Sequence, residues 1–256
     1  MSSDPAASLI ALTGLPLISE HDDLAGLLVD AAKRTGVALK DGDVLVVAQK
    51  IVSKAEGRMV RLADVHPSDE ARALAETCDK DPRLVELVLM ESERVVRAVL
   101  GVLIVRHRLG HVMANAGIDQ SNVGPGGSHA LLLPVDPDKS AARLAARLRD
   151  ETGSTVAVIV ADSFGRPWRM GTCGAAIGAA GLDTLQSRVG VDDLFGRPLQ
   201  HSDIAVADEM ASAASLLMGQ AAEAIPAVIL RGFDHLLGGT AQANALVRAP
   251  EKDLFL

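Results

Sequence analysis

Val156-Ala157-Val158-Ile159-Val160-Ala161-Asp162-Ser163 is an apolar run of strand length that ends on a carboxylate and a hydroxyl, then passes into Gly165-Arg166-Pro167-Trp168-Arg169. Ahead of it, residues 140–152 carry Ala and Leu on one helical face, with Arg143, Arg147 and Arg149 largely off it, and Gly153 ends the pattern. Helix followed by apolar strand recurs outward from this point. Residues 9–17 predict a strand and turn closed by Pro16. Leu24, Leu27, Leu28 and Ala31 predict an amphipathic helix with Asp22-Asp23 at its start, Lys33-Arg34 in its last turn and Gly36 as its stop. Asp41-Gly42-Asp43 turns into a strand over 44–48. Helices are predicted from Pro67-Ser68-Asp69-Glu70 and over 82–91. Residues 95–106 predict one or two buried strands, 110–117 extended chain, and 131–134 a short strand. Beyond the opening stretch, 175–182 is Gly/Ala-rich, a strand or a loop-facing helix. A helix over 207–222 and a strand over 226–230 follow. The alternation lacks the strict rhythm of a doubly wound sheet, so the fold class is α+β. No repeat and no Pro/Ser-rich linker divides the chain, and residues 1–256 read as one domain.

Composition narrows the function. Hydrophobic residues are 48% of the chain but aromatics only 2%, so the core is aliphatic and platforms for stacking bases are scarce. A net charge of −8 argues against nucleic acid or an anionic membrane as partner. No apolar run approaches the roughly 20 residues of a membrane span, and no basic segment precedes the first apolar stretch. These features predict a cytoplasmic protein. Cys78 and Cys173 form neither a zinc pattern nor a disulfide framework.

A second stretch, Asn115-Ala116-Gly117-Ile118-Asp119-Gln120-Ser121-Asn122, presents a carboxylate, a hydroxyl and an amide on a small-residue turn. Asp119 and Asp162, with Ser163, supply hard oxygen ligands of the kind that magnesium and manganese share with phosphate oxygens. Capping of a turn or helix is the plainer role for either acid alone. Gln49-Lys50-Ile51-Val52-Ser53-Lys54 leaves the 44–48 strand with two lysines four apart, able to reach one polyphosphate if the segment turns helically, or simply solvated. Arg166 and Arg169 suit bidentate phosphate or carboxylate recognition, or form a surface loop around a packed Trp168. Asp208 opens the 207–222 helix as an ordinary first-turn acid, while Gly219, Gln220 and Glu223 stand where a nucleotide could meet the helix end. There is no P-loop and no dinucleotide fingerprint. The pattern points to nucleotide-dependent chemistry on an anionic substrate. A nucleotide-binding protein without catalysis and a metal-dependent phosphohydrolase are the alternatives.

Taken in order, Leu12-Thr13-Gly14-Leu15-Pro16-Leu17-Ile18, residues 49–57, 115–123, 161–169, Asp208-Glu209-Met210-Ala211-Ser212-Ala213-Ala214 through Gly219, and Pro226-Ala227-Val228-Ile229-Leu230-Arg231-Gly232 resemble the coenzyme F420-0:L-glutamate ligase family over nearly the whole chain. His21 stands where a Gly is more typical. The resemblance implies a mixed α/β fold that assembles as an intertwined homodimer, without the C-terminal flavin-reductase-like domain of some members. It implies GTP as a substrate, with Mg2+ or Mn2+ and a monovalent cation, and coenzyme F420-0 and L-glutamate as the molecules joined. Leu15, Pro16, Leu17, Ile18, Gln49, Lys50, Lys54, Asn122 and the segment Met218-Gly219-Gln220-Ala221-Ala222-Glu223-Ala224-Ile225 would hold the nucleotide. Asp119, Asp162, Ser163 and Gln220 would hold metal. Lys54, Arg166 and Arg169 would serve the chemistry.

Overall fold

Four of the most apolar runs in the chain pair with one another. The structure is a computed structural model and describes residues 6–253. It contains β1 (Ser8–Leu12), α1 (Leu24–Arg34), β2 (Val44–Ala48), α2 (Gln49–Ala55), β3 (Met59–Arg61), α3 (Asp69–Cys78), α4 (Pro82–Met90), β4 (Ser92–Val99), β5 (Val102–His107) and β6 (Val112–Ala114). There follow β7 (His129–Leu131), α5 (Pro137–Thr152), β8 (Ala157–Arg166), β9 (Arg169–Ala180), β10 (Gln186–Ser187), β11 (Asp203–Ile204), α6 (Val206–Met218) and β12 (Ala227–Arg231). The main sheet has the order β1-β12-β2-β8-β9, and only β2 and β8 run parallel. This is a mixed α+β architecture, as the sequence predicts.

Both faces of that sheet are covered, which is why β2, β8 and β12 are apolar without interruption. Leu45, Val47, Val158, Val160 and Ile229 face α1 and α5; Val44, Val46, Ile159, Val228 and Leu230 face α6. Each fully buried aliphatic side chain contributes about 1.5–3 kcal/mol. Two glycines of β9 let the covering helices approach its backbone. A Cβ at Gly174 would collide with the Ala211 carbonyl of α6, and one at Gly178 with the Pro137 carbonyl of α5. Acids on those helices then bind the strand: Asp208 Oδ1 accepts from Ala176 N at 2.8 Å, and Asp138 Oδ1 from Ala179 N at 2.8 Å.

The long connection between β2 and β8 carries a second layer of structure. There α3 and α4 pack against β5 and β7 around Leu62, Val85, Val88, Leu103, Val105, Ala130 and Leu132. It is tied to the α2 exit by Glu91, whose buried carboxylate accepts two bonds from Arg58 at 3.0 Å and pairs with Arg108 at 2.8 Å.

Several boundaries differ from the sequence reading. Residues 95–106 form a hairpin whose β4 strand is partly open to solvent, with Val99, Leu100 and Val102 exposed at and beside the turn. The first strand stops at Leu12 and the 131–134 strand lies earlier, at His129–Leu131. The Gly/Ala-rich 175–182 is strand through Ala180. The last long helix ends at Met218 because Gly219 takes φ 69°, so residues 219–226 are loop. No helix among the described residues is long and apolar enough to cross a membrane.

Candidate functional site

Parallel pairing places the carboxyl ends of β2 and β8 side by side, with Ala48 opposite Ala161. The segments leaving both strands therefore emerge together, the arrangement that opens a crevice at the end of an α/β sheet. A cavity of about 410 Å³ lies there. Gln49, Lys50 and Lys54 of α2 form one wall, and Asp162 and Ser163 of β8 another. The Leu15-Pro16-Leu17-Ile18 loop, Asn122 and the whole 218–225 segment complete it. All the residues expected to hold a nucleotide thus line one cavity.

The acidic turn reaches this cavity through α2. Lys50 Nζ donates to Asp119 Oδ2, while Asp119 Oδ1 accepts from Ser121 N at 2.6 Å and Ser121 Oγ at 2.7 Å. Lys54 Nζ donates to the Asn122 carbonyl at 2.7 Å, and Asn122 Nδ2 to the Ala221 carbonyl at 3.1 Å. Ser163 Oγ donates to Gln220 Oε1 at 2.9 Å. Two lysines, one acid and one strand-end hydroxyl, on four segments distant in the chain, thus make these bonds around the cavity. The acidic turn is strained: besides Gly117, the non-glycine residues Asn115, Ala116 and Asn122 have φ between 51° and 57°.

The electrostatics are those of charged groups held out of water. Burial lowers the Lys50 pKa, opposed by the Asp162 charge and aided by Lys54, and burial alone lowers that of Lys54. Burial pushes Asp162 up to about 6, against the Ser163 N–H and the Lys50 charge. Gln49 is 1% exposed; its Oε1 accepts from Ser53 Oγ at 2.9 Å, but its Nε2 has no partner among the described residues. An orphaned buried donor in a cavity wall is costly unless a ligand oxygen meets it. Asp119, Asp162, Ser163 and Gln220 offer hard oxygen donors, the chemistry that Mg2+ and Mn2+ require. The described residues contain no group of three His, Cys, Asp or Glu able to hold a metal alone, so any ion here would complete its shell with water or phosphate oxygens.

Arg166 and Arg169 are placed differently from expectation. The predicted Arg-rich loop is a hairpin: β8 and β9 stay paired to its tip, where Arg166 faces Arg169. Four residues of strand separate Arg166 from Asp162, roughly 13 Å, and neither arginine lines the cavity. Trp168 does not pack; it is 89% exposed with φ 63°. Asp208 neither caps its helix nor touches the cavity, since it holds the Ala176 amide, and burial raises its pKa. Sequence reasoning missed Gly174 and Ser215 as wall residues. Gly174 was detectable only through its pairing with Ser163 in the hairpin.

A cleft of lysines and oxygen donors at the mouth of a parallel strand pair has the chemistry to meet a charged, phosphate-bearing ligand, and sequence comparison supplies the class. The chain belongs to the F420-0:gamma-glutamyl ligase family, whose model matches residues 14–232, and it is a ligase that forms carbon–nitrogen bonds. The coenzyme F420:L-glutamate ligase of Methanothermobacter thermautotrophicus is 47% identical over 252 residues, covering 97% of this chain and 98% of the relative. Those of Methanopyrus kandleri and Archaeoglobus fulgidus are 46% identical (91% of each chain) and 43% identical (94% of this chain, 93% of the relative).

Proposed function

We propose that the chain joins L-glutamate to a carboxylate of coenzyme F420-0, using GTP through an acyl phosphate and releasing GDP and phosphate. The observation that carries this reading is the convergence of Lys50, Lys54, Asp162 and Ser163 on one cavity, with Asp119 bonded to Lys50. Lys50 and Lys54 would bind the phosphates and neutralise charge as the γ-phosphoryl moves in line to the substrate carboxylate. Gln49 Nε2 would donate to the nucleotide. Asp119, Asp162, Ser163 and Gln220 would hold Mg2+ or Mn2+, with a monovalent cation nearby, which when bound screen the phosphate oxygens. The glutamate amine then attacks the activated carbonyl, an amide bond forms as the acyl–oxygen bond breaks, and the amine proton passes to solvent or phosphate. No enzyme nucleophile is required.

The same reading includes a homodimer. Two arms carry exposed apolar side chains: Trp168 and Met170 on the β8–β9 hairpin, and Leu194 and Phe195 in the excursion between β10 and β11. Arms of this kind suit an intertwined partner. In that assembly Arg166 and Arg169, outside their own cavity, would serve substrate at the partner's edge.

Incubation with F420-0, GTP, Mn2+ and labelled glutamate tests the assignment. Glutamate-dependent phosphate release with labelled F420 product is expected. Nucleotide binding without turnover would leave a non-catalytic binder, and turnover without glutamate a phosphohydrolase.

A further inference from the structure

A second cavity, of about 360 Å³, lies on the α5 side of the sheet. Its floor is the turn between β5 and β6, which carries Arg108, Leu109 and His111; its opposite side is the start of α5 and the chain that returns after β12. That returning segment is held firmly. Asp138 Oδ1 accepts from Ala243 N at 2.8 Å, and Thr184 Oγ1 donates to the Gln242 carbonyl at 2.9 Å. Gly110 takes φ 88° and leaves no room for a Cβ beneath Val247. The segment thereby presents the side chains of Gln242 and Asn244 to the cavity, and neither side-chain amide has a protein partner among the described residues.

The lining has a definite chemistry. Arg108 spends Nη2 on Glu91 and is 40% exposed, so the rest of its guanidinium is free for a carboxylate. Burial and the neighbouring His107 lower His111 to about 4, making its ring a neutral hydrogen-bonding group at pH 7. Asp136, paired with Lys139 at 2.8 Å, offers a carboxylate to an ammonium. Leu109, Val135 and Ile177 supply an apolar strip suited to a short methylene chain. The cavity is also close to the first. Phe164 follows Asp162 by two residues on the same face of β8, and its ring meets that of His111 edge-on at 5.5 Å. Asp162 lines one cavity and His111 the other.

We infer that this second cavity binds an acidic α-amino acid, its carboxylates on Arg108 and on the amides of Gln242 and Asn244 and its ammonium on Asp136. Under the ligase reading above, on which this identification rests, the occupant is L-glutamate, waiting one side-chain pair away from the phosphate site. An ammonium so held gives one proton to solvent on leaving the pocket and attacks the acyl carbonyl as the free amine, and the pocket itself does no covalent chemistry.

The probe is L-glutamate titrated calorimetrically into the full chain with GDP and Mn2+ present, alongside the ligase assay. Asn244→Leu is the main variant, because Asn244 is exposed and holds no side-chain bond. At least a tenfold rise in both the Kd and the KM for glutamate is expected, with the KM for GTP unchanged and the same unfolding midpoint. Arg108→Ala should weaken glutamate further. Glutarate, which is glutamate without the ammonium, should bind at least tenfold more weakly than glutamate. Absence of glutamate binding by the parent chain, or an unchanged Kd in Asn244→Leu and in Arg108→Ala, overturns the inference. If the parent binds glutamate and Asn244→Leu weakens it while neither forms product, the pocket stands and the ligase reading falls. If product forms with an unchanged glutamate KM in both variants, the ligase stands and the pocket falls.

Discussion

Replacing Asp162 by Asn should stabilise the metal-free fold while destroying its activity. The folded chain holds the Asp162 proton more tightly than the unfolded chain, with a pKa of about 6 against the ordinary 3.8, and burial is the cause. The sign follows from proton binding. Stability contributed by this group is fully present below about pH 3.8 and is lost as pH rises through 6. The 2.2-unit difference corresponds to about 3 kcal/mol of stability forgone at pH 7.5. Asn imitates the protonated acid in shape and charge, so Asp162→Asn should recover most of it. The attraction of Lys50 is already contained in that value, but Asn differs from the protonated acid by an amide group that must find its own partners. A net gain of about 2 kcal/mol remains, a rise in melting temperature of roughly 4–8 °C for a chain of this size. The assay is urea and thermal unfolding of both proteins with EDTA and without nucleotide, at one protein concentration, at pH 7.5 and 4.5. The difference should be large at pH 7.5 and shrink toward zero at pH 4.5. An Asn variant no more stable than its parent at pH 7.5, or a gap independent of pH, would refute the reasoning. In the ligase assay the same variant should lose Mn2+-dependent turnover, the usual exchange of stability for function at a desolvated site.

Three further outcomes follow from the same structure. Lys54→Met should raise the KM for GTP by roughly 10- to 100-fold, the worth of a charge-assisted hydrogen bond of about 1.5–3 kcal/mol, with little change in the KM for glutamate; steady-state kinetics decides. Gly178→Ala forces a methyl group into the Pro137 backbone and should cost about 3 kcal/mol, seen as a lowered urea midpoint at unchanged slope. His111, held to about 4 instead of 6.5, stays neutral in the fold while the unfolded chain protonates, so it should remove about 3 kcal/mol as pH falls from 6.5 to 4. Subtracting the pH profile of His111→Gln from that of the parent isolates this term.

What could be read from the chain was whatever the local pattern determined. Val44–Ala48 and Ala157–Ala161 had to be buried strands, since no other element hides five consecutive aliphatic residues on two faces. The lysines of α2 and the acids at 119 and 162 were legible as chemistry because few residue types serve phosphate and a hard cation. The order of the sheet was not legible. β12 enters between β1 and β2, and that pairing joins residues 180 or more positions apart in chain, which no local signal encodes. The Ala-rich run after Asp208 favours helix as far as Ala222, yet one left-handed glycine at 219 turns its end into a cavity wall. Pro167 and two arginines read as a loop, whereas the hairpin ladder continues through them and carries both guanidinium groups away from Asp162. The second cavity gave no sequence signal, because its polar groups come from the β5–β6 turn, α5 and the C-terminal segment.

The insertion between β2 and β8 explains why a parallel pair persists in an otherwise antiparallel sheet. A parallel neighbour demands a long crossover, and here the crossover does more than return the chain. It carries the acidic turn back to α2, so that Asp119 meets Lys50 and Asn122 bridges Lys54 to the Ala221 loop. An antiparallel hairpin after β2 would deliver its residues to the opposite end of the next strand and would leave Lys50 without Asp119. The contact must also be held in register, because a strained turn with three non-glycine residues at positive φ cannot fix itself. The Glu91 clamp meets that need: Arg58, directly after α2, reaches both Glu91 and the Leu133 carbonyl at 2.8 Å. Breaking a buried pair of this kind costs about 3–5 kcal/mol. The lobe is therefore bound to α2 by more free energy than the strained turn, at about 1–3 kcal/mol per residue, needs at any one position.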